Sequence, residues 1–331
     1  GSQTFARKRI TKNQIKLEID NIGLELLFCK LTSIKNKILL ASVFVTGASV
    51  LIIEIVAIRI LAPYYGNTIY TTSSVIGVIL AALSLGYYLG GVFSDKYPDY
   101  RVFYFIIASS GLLIVLMQVL SKALLPLLSI LFSIVSGPLI SSLLLFFIPA
   151  FFLGMLSPFA IKLSHVSERR ANEVGKQSGQ VFFWSTLGSI VGSFLAGFVL
   201  IPNFGINSIV IGTGIILTLC GSFGFLYFSK SSKKYWALII LFLVTELFLL
   251  SFESPKETVV YENDGVYQKI KILDGTWEDH PARFLFQDRN YSAAMFLDSE
   301  ELAFEYTKYY QLYKLFSKEA KNAFVIGGGA Y

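Results

Sequence analysis

Long apolar segments separated by short polar connections make up most of the chain before residue 253. A helix needs about 20 mostly apolar residues to cross a hydrocarbon core of about 30 Å, and seven segments approach or exceed that length. They are residues 38–62, 73–93, 102–120, 137–161, 180–201, 205–228 and 235–252. Residues 124–135 are apolar but too few to span, which predicts a re-entrant segment or a surface helix. The pattern predicts a polytopic α-helical membrane domain of about seven spans.

The pattern changes after residue 252, where shorter segments rich in β-branched and aromatic residues predict four strands. The predicted strands are residues 259–261, 266–273, 283–287 and 292–297. Asn263-Asp264-Gly265 predicts a type I′ hairpin turn before the second strand. The acidic Asp298-Ser-Glu-Glu predicts the first turn of a helix that runs to about residue 316. This part is predicted to be a small antiparallel β domain followed by a helix.

The C-terminal segment contains an apolar run, residues 323–326, that leads into Gly327, Gly328 and Gly329. A strand that ends in glycines is typical of the start of a nucleoside-binding α/β domain, because glycines let the backbone approach a ligand closely. An ordinary turn is the alternative. A helix and an acidic residue about 20 positions on should follow such a strand. We therefore expect the chain to be truncated within a Rossmann-like, methyltransferase-type domain.

These patterns predict four regions along the chain. They are a basic cytoplasmic tail (1–37), a transmembrane helical domain (38–252), a small β domain with a helix (253–320) and the start of the truncated α/β domain (321–331). Within the tail, residues 15–34 suit either an amphipathic helix on an anionic membrane surface or a solvated segment. No metal site is predicted, since the two histidines and two cysteines form no cluster in the sequence.

The distribution of charge orients the predicted spans. Mean hydropathy is +0.62 and 15% of the residues are charged, against about 25% in soluble proteins. Seventeen lysines and arginines lie in the tail and in alternate connections, whereas the opposite connections carry Lys122. This asymmetry places the N-terminus in the cytoplasm and explains the net charge of +6 without a nucleic-acid partner. Seven crossings place residue 253 onward outside the cytoplasm. Two alternatives remain, an eighth crossing through 124–135 and an incomplete crossing at 235–252.

Three charged residues lie inside predicted spans, where a charge is costly unless it is paired or hydrated. Glu54 is in the middle of the first span and Glu246 is in the seventh. Arg59 follows Glu54 by five residues, about 140° around the helix, so the two side chains do not share a face. We expect Arg59 to reach the membrane interface. A functional role and a structural hydrogen bond are both open for Glu54.

Small residues recur at four-residue spacing, which favours close helix packing in lipid, with a substrate path as the alternative. The stripes are Gly86 with Gly90, Gly188 with Gly192 and Ala196, and Ser189 with Ser193 and Gly197. Gly91-Val-Phe-Ser-Asp95, followed by Arg101, is placed in the first inside loop and is similar to the loop signature of major facilitator transporters. An acidic N-cap beside a tight turn explains this segment equally well.

Several segments together resemble spermidine synthases, and the membrane part is similar to the branch fused to a major-facilitator-like domain. In the C-terminal part they are Val266-Tyr267-Gln268, Gln287-Asp288-Arg289-Asn290-Tyr291-Ser292, Glu305-Tyr306 and Val325-Ile-Gly-Gly-Gly329. In the membrane part they are residues 51–66, 84–91, 154–161 and 185–192. The resemblance covers nearly all of residues 38–331.

The resemblance implies aminopropyl transfer from decarboxylated S-adenosylmethionine, as a co-substrate rather than a tightly bound cofactor, to a diamine. Gln268 and Gly327–Gly329 would contact the donor and Tyr267 the substrate, while the catalytic acids would lie beyond Tyr331, which leaves this chain inactive by itself. It further implies an integral protein of a bacterial or archaeal inner membrane, and leaves a homo-oligomer open. Tyr291, Phe304-Glu305-Tyr306, Tyr310 and Ala330 depart from the residues of the soluble enzymes. A polyamine or small-cation transporter and a methyltransferase-like enzyme on another substrate are the alternatives.

Overall fold

The computed structural model describes residues 12–168, 174–229, 244–245, 259–265, 268–288 and 290–312, together with Leu315 and Asn322. Within these residues, six helices are long and apolar enough to cross a membrane. They are α1 (Lys12–Tyr65), α2 (Ile69–Lys96), α3 (Tyr100–Leu131), α4 (Gly137–Glu168), α5 (Val174–Phe194) and α6 (Ile206–Phe228). A turn of π-helix (Leu195–Leu200) and the residues Ile201–Asn203 extend α5. The predicted polytopic helical membrane protein is thus confirmed in its class.

Capping contacts mark the end of α1 and the starts of α2 and α3. Gly66 has a φ of 77°, which favours glycine, and its N–H donates to the Ala62 carbonyl at the end of α1 (2.8 Å). Thr68 accepts a hydrogen bond from the Thr71 N–H and caps α2. In the next connection the Asp99 carboxylate accepts from the Arg101 N–H (2.9 Å) and caps α3.

Helix α3 corrects one prediction. Residues 124–135 were expected to form a separate re-entrant or surface segment, but α3 continues without a break to Leu131. The polar stretch after residue 120 does not interrupt it, since the Ser121 hydroxyl donates to the Gln118 carbonyl within the helix (2.8 Å). Ser129 bonds in the same way to the carbonyl of Pro126 (2.9 Å), a proline that the helix accommodates. A serine that bonds its own helix backbone is compatible with a long apolar helix.

Helix α1 forms the centre of the bundle. It packs along α5 and also contacts α4, α6, α2 and α3, while α2 packs along α4 and α3 along α6. From Ser42 to Tyr65 every residue of α1 is buried or half-buried. In contrast, α5 exposes large apolar side chains such as Phe182, Phe194 and Phe198. These exposed apolar side chains are suited to contact with lipid.

Glycines bring the paired helices into backbone contact, as the small-residue stripes predicted. A Cβ placed on Gly90 of α2 would lie 2.6 Å from the Met155 Cα in α4. Cβ atoms on Gly188 and Gly192 of α5 would overlap the backbone of Phe44 and Ala48 in α1. The second α5 stripe is mixed, because Ser189 donates to the Gly47 carbonyl (3.0 Å) whereas Gly197 is exposed. Close packing therefore accounts for Gly86, Gly90, Gly188 and Gly192.

The C-terminal part contains a four-stranded antiparallel sheet in the order β1-β2-β3-β4. Its strands are β1 (Val259–Asp264), β2 (Lys269–Trp277), β3 (His280–Gln287) and β4 (Asn290–Phe296). The four predicted strands are thus confirmed with different bounds, since β2 begins at 269 rather than 266 and β4 ends at 296 rather than 297. Neighbours in sequence pair as hairpins. The turn between β2 and β3 is formed by Glu278 and Asp279, whose φ angles of 51° and 65° suit a type I′ connection.

The turn predicted at Asn263-Asp264-Gly265 is different in the structure. Asn263 and Asp264 do not form a turn, because they belong to β1 and pair with Ile270 and Lys269. The hairpin closes later, where the Gly265 N–H donates to the Gln268 carbonyl (3.1 Å). Pairing with β2 thus overrides the local turn preference of this tripeptide.

The helix predicted from residue 298 is also different in the structure. Residues 298–304 are irregular, and a short helix, α7 (Glu305–Lys308), leads into a 3₁₀ turn (Tyr309–Leu312). Leu302 instead forms an isolated bridge with Met295 of β4, and Ala303 is buried against the sheet. Covering the apolar face of the sheet takes precedence over the capping signal of the acids.

Three predictions lie outside the described residues. They concern the seventh span at 235–252, of which Val244 and Thr245 are described as helical, the strand at 323–326 and the glycines at 327–329. The Rossmann-like domain accordingly stays a prediction.

Candidate functional site

Glu54 lies on the central helix of the bundle. It is half-buried, and its neighbours one turn away, Val50, Leu51, Ala57 and Ile58, are apolar. No described residue forms an ion pair or a hydrogen bond with its carboxylate. A carboxylate in this position is costly unless water or a cationic ligand reaches it. Glu54 lies within α1, which contains the first predicted span.

Arg59 connects the bundle to the sheet. Its guanidinium Nη2 donates to the carbonyl oxygen of Gly265, at 2.6 Å, across 206 positions of sequence. The side chain is half-buried, and Gly265 belongs to the connection between β1 and β2. The arginine therefore contacts the β domain, and its position at a membrane interface stays a prediction.

Gln268 stands at the same end of the sheet, directly before β2. Its side chain is half-buried, and among the described residues nothing hydrogen-bonds its amide group. The next residue, Lys269, donates its backbone N–H to the Asp288 carboxylate (3.0 Å) and accepts from the Asp288 N–H (2.7 Å). Beyond Asp288, the Ser292 hydroxyl donates to the Gln287 side-chain oxygen (2.9 Å). The fold thus brings Gln268 and the hairpin of residues 287–292 to one end of the sheet.

An aromatic cluster covers one face of the sheet beside that hairpin. Tyr291 packs against Phe286 with ring centroids 4.4 Å apart and against Phe284 at 5.4 Å. Phe304, which follows the sheet, contacts Tyr291 at 6.4 Å and Trp277 at 5.6 Å. Tyr291 remains 56% exposed, so the cluster has an open rim that a ligand can reach. The alternation of Phe284 and Phe286 on β3 places both side chains on one face, and it is the signal in the sequence that could have predicted this cluster.

The segment that is similar to a major facilitator loop is helical in the structure. Gly91 to Asp95 belong to α2, so their assignment to the first inside loop is wrong. Asp95 is not an N-cap, since Asp99 caps α3. Asp95 instead forms an ion pair with Lys162 of α4 (2.6 Å). The pair ties the ends of α2 and α4 together in an exposed position, where an ion pair contributes about 0–1 kcal/mol.

The far end of the sheet carries two further polar contacts. Arg283 bonds Asp274 through two nitrogens, at 2.6 and 2.8 Å, and these hydrogen bonds lower the pKa of the Asp274 carboxyl. His280 bonds the Asp298 carboxylate (3.0 Å), which raises the pKa of the imidazole. Both contacts join neighbouring segments of the sheet, and a structural role accounts for them.

The remaining predicted site residues, Tyr267, Glu246, Gly327, Gly328 and Gly329, lie outside the described residues. The arrangement that can be described has two parts. One is the half-buried Glu54 in the bundle, and the other is the Gln268 end of the sheet, which Arg59 contacts. No protein family, no curated protein and no solved structure matches this chain.

Proposed function

We propose that this chain is the membrane anchor and the first β domain of an aminopropyltransferase similar to the membrane-fused spermidine synthases. The observation that carries the proposal is the antiparallel meander after the bundle, with Gln268 and the hairpin of residues 287–292 at one end of it. These are the segments on which the resemblance rests. Their proximity in the fold supports one common site for the glutamine and the hairpin.

In the proposed aminopropyl transfer, the described sheet has a binding role. In the transfer, an amine nitrogen attacks the carbon attached to the sulfonium, the carbon–sulfur bond breaks, and a neutral thioether leaves. The nitrogen also loses a proton, which requires a carboxylate as general base. Asp288, at the Gln268 end of the sheet, already accepts the Lys269 N–H, so it holds the site together. In this proposal the described sheet orients the donor.

The test uses the longest natural reading frame that contains this chain, purified in lipid nanodiscs. With decarboxylated S-adenosylmethionine and labelled putrescine, we expect labelled spermidine to form. Gln268→Ala should lower kcat/KM by about tenfold or more, because a hydrogen bond to the donor is lost. The matched control is Thr276→Ala, an exposed position at the other end of β2. Absence of transfer by the intact protein, or equal rates for both variants, contradicts the proposal.

A second candidate function is transport of a polyamine or another small cation through the bundle. Glu54 favours it, since a half-buried carboxylate on the central helix is a natural partner for a cation crossing the membrane. In proteoliposomes we expect Glu54→Gln to abolish uptake of labelled putrescine. Asp95→Asn removes a carboxylate that is 69% exposed at the bundle end and serves as the control. Uptake without any transfer would select this function, and transfer without uptake would exclude it.

A further inference from the structure

The two ends of the helical bundle differ in charge. One end is formed by the connections at 66–68, 132–136 and 204–205, in which the sequence places no Asp, Glu, Lys or Arg; we call it the uncharged end. The other, the basic end, contains the connection at 97–99 and the adjoining helix ends. Its described cations are Lys35, Lys37, Lys96, Arg101, Lys162 and Lys176. The ends follow from the alternating direction of the six helices.

Arg59 belongs to the uncharged end. It lies six residues before the end of α1, about 9 Å along the helix axis, and α1 ends at the connection 66–68. Because its guanidinium bonds the Gly265 carbonyl at 2.6 Å, the connection between β1 and β2 must also lie there. The β1–β2 hairpin cannot reach Arg59 from the basic end, since the bundle separates the two ends by more than the hydrocarbon thickness of about 30 Å.

We propose that the β sheet is docked on the uncharged end of the bundle through Arg59, on the membrane face opposite to the basic connections. Helix α6 ends at Phe228, on the basic end, whereas Gly265 is on the uncharged end. This placement agrees with the seventh crossing predicted for 235–252, and it disfavours the eighth crossing and the incomplete seventh crossing. The docking contact does not rest on the proposed function.

The placement determines which compartment supplies the ligand of the sheet. Basic connections face the cytoplasm in most membrane proteins, so the sheet and its Gln268 end face the opposite compartment. A soluble ligand of this site must then be present on that face or be delivered to it through the membrane. For a sulfonium nucleoside, this requires an export step ahead of the transfer reaction.

Variants with a single cysteine show directly on which membrane face each position lies. The background replaces both native cysteines, by Cys29→Ser and Cys220→Ala. Thr276→Cys marks the sheet, Asn67→Cys the uncharged end and Pro98→Cys the basic end, and all three positions are exposed. A membrane-impermeant maleimide is applied to sealed vesicles of each orientation, and labelling after detergent solubilisation confirms that every cysteine reacts.

We expect Thr276→Cys to be labelled in the vesicles that label Asn67→Cys and to be protected in those that label Pro98→Cys. Labelling together with Pro98→Cys, or in both orientations, would overturn the placement. Neither result depends on transferase activity, so failure of the proposed function remains a separate outcome. The labelling also shows the membrane face of a sheet that has lost its docking contact, because the impermeant reagent detects the compartment and not the fold.

A second measurement tests the role of Arg59 in docking. Arg59→Ala removes the donor to the Gly265 carbonyl, and we expect hydrogen exchange of the amides around Gly265 to become about tenfold faster. Arg101→Ala is the matched control, because Arg101 bonds Asp99 at the basic end. Equal exchange in both variants would show that Arg59 does not hold the sheet.

Discussion

The adjacent glycines Gly90 and Gly91 of α2 offer a test of helix packing. A Cβ at Gly90 would lie 2.6 Å from the Met155 Cα and 2.7 Å from its carbonyl oxygen, whereas at Gly91 the nearest atom is 4.0 Å away. Ordinary contacts of a Cβ lie at 3.4–4 Å. Gly90→Ala therefore forces α4 away by roughly 1 Å, and a backbone cannot rotate aside as a side chain can.

The expected cost follows from this displacement. Overpacking a well-packed interface costs about 1–3 kcal/mol, which corresponds to a decrease in Tm of several degrees for a domain of this size. Gly91→Ala introduces the same methyl group and the same helix preference without a clash. We expect it to leave Tm unchanged or slightly raised, so the difference between the two variants isolates the steric term.

Thermal unfolding in mild detergent, followed by intrinsic fluorescence, measures both variants. Gly86→Ala in the same interface should combine with Gly90→Ala less than additively, because the helices have already separated. Adding Met155→Ala should not restore Tm, since the clashing atoms belong to the backbone. Equal Tm values for Gly90→Ala and Gly91→Ala, or rescue by Met155→Ala, would refute the reasoning.

Three further predictions concern single polar contacts. Arg283 lowers the pKa of Asp274, so their contact stabilises the sheet above pH about 4, and this contribution is lost as pH falls through the folded pKa. Hydrogen exchange of β2 and β3 should show the loss in the native chain but not in Asp274→Asn. Asp298 raises the pKa of His280, so the stabilisation from their contact is complete below pH about 6.5 and is lost as pH rises through the folded pKa. NMR titration of His280 should give a lower midpoint in Asp298→Asn than in the native chain. An unchanged midpoint would contradict this contact. Tyr104→Phe removes the buried bond to the Ser42 hydroxyl (3.0 Å) and should lower the free energy of unfolding by up to about 1 kcal/mol, whereas a gain in stability would argue against the bond.

Some candidate functional residues could be located from the sequence, but the atoms that they contact could not. A charge in an apolar segment is visible as such, so Glu54 and Arg59 stand out without any structure. The Gly265 carbonyl that Arg59 contacts gives no signal in the sequence, because every residue carries a backbone carbonyl. For the same reason Gln268 was found through a resemblance, while its proximity to Asp288 emerged from the pairing of β2 with β3.

The sequence by itself determined the helical segments and the strands. Apolar length and alternation are local properties, and they set the class of each element before any tertiary contact forms. Local preferences for a turn or a helix start were overridden where pairing or packing within the sheet buried more apolar surface. Asn263 and Asp264 joined a strand, and Leu302 and Ala303 packed on the sheet although the acids before them favour a helix start.

Only the tertiary structure decided which helices are neighbours and where the sheet is docked. The stripe containing Gly90 indicates that a helix will approach closely, but not that it is α4 with Met155 at the contact. Likewise, the basic connections indicate two faces of a membrane, and the contact of Arg59 with Gly265 assigns the sheet to one of them. The physical reason is that hydrophobic length is encoded in consecutive residues, whereas helix pairing and docking depend on complementary surfaces that are distant in sequence and form together on folding.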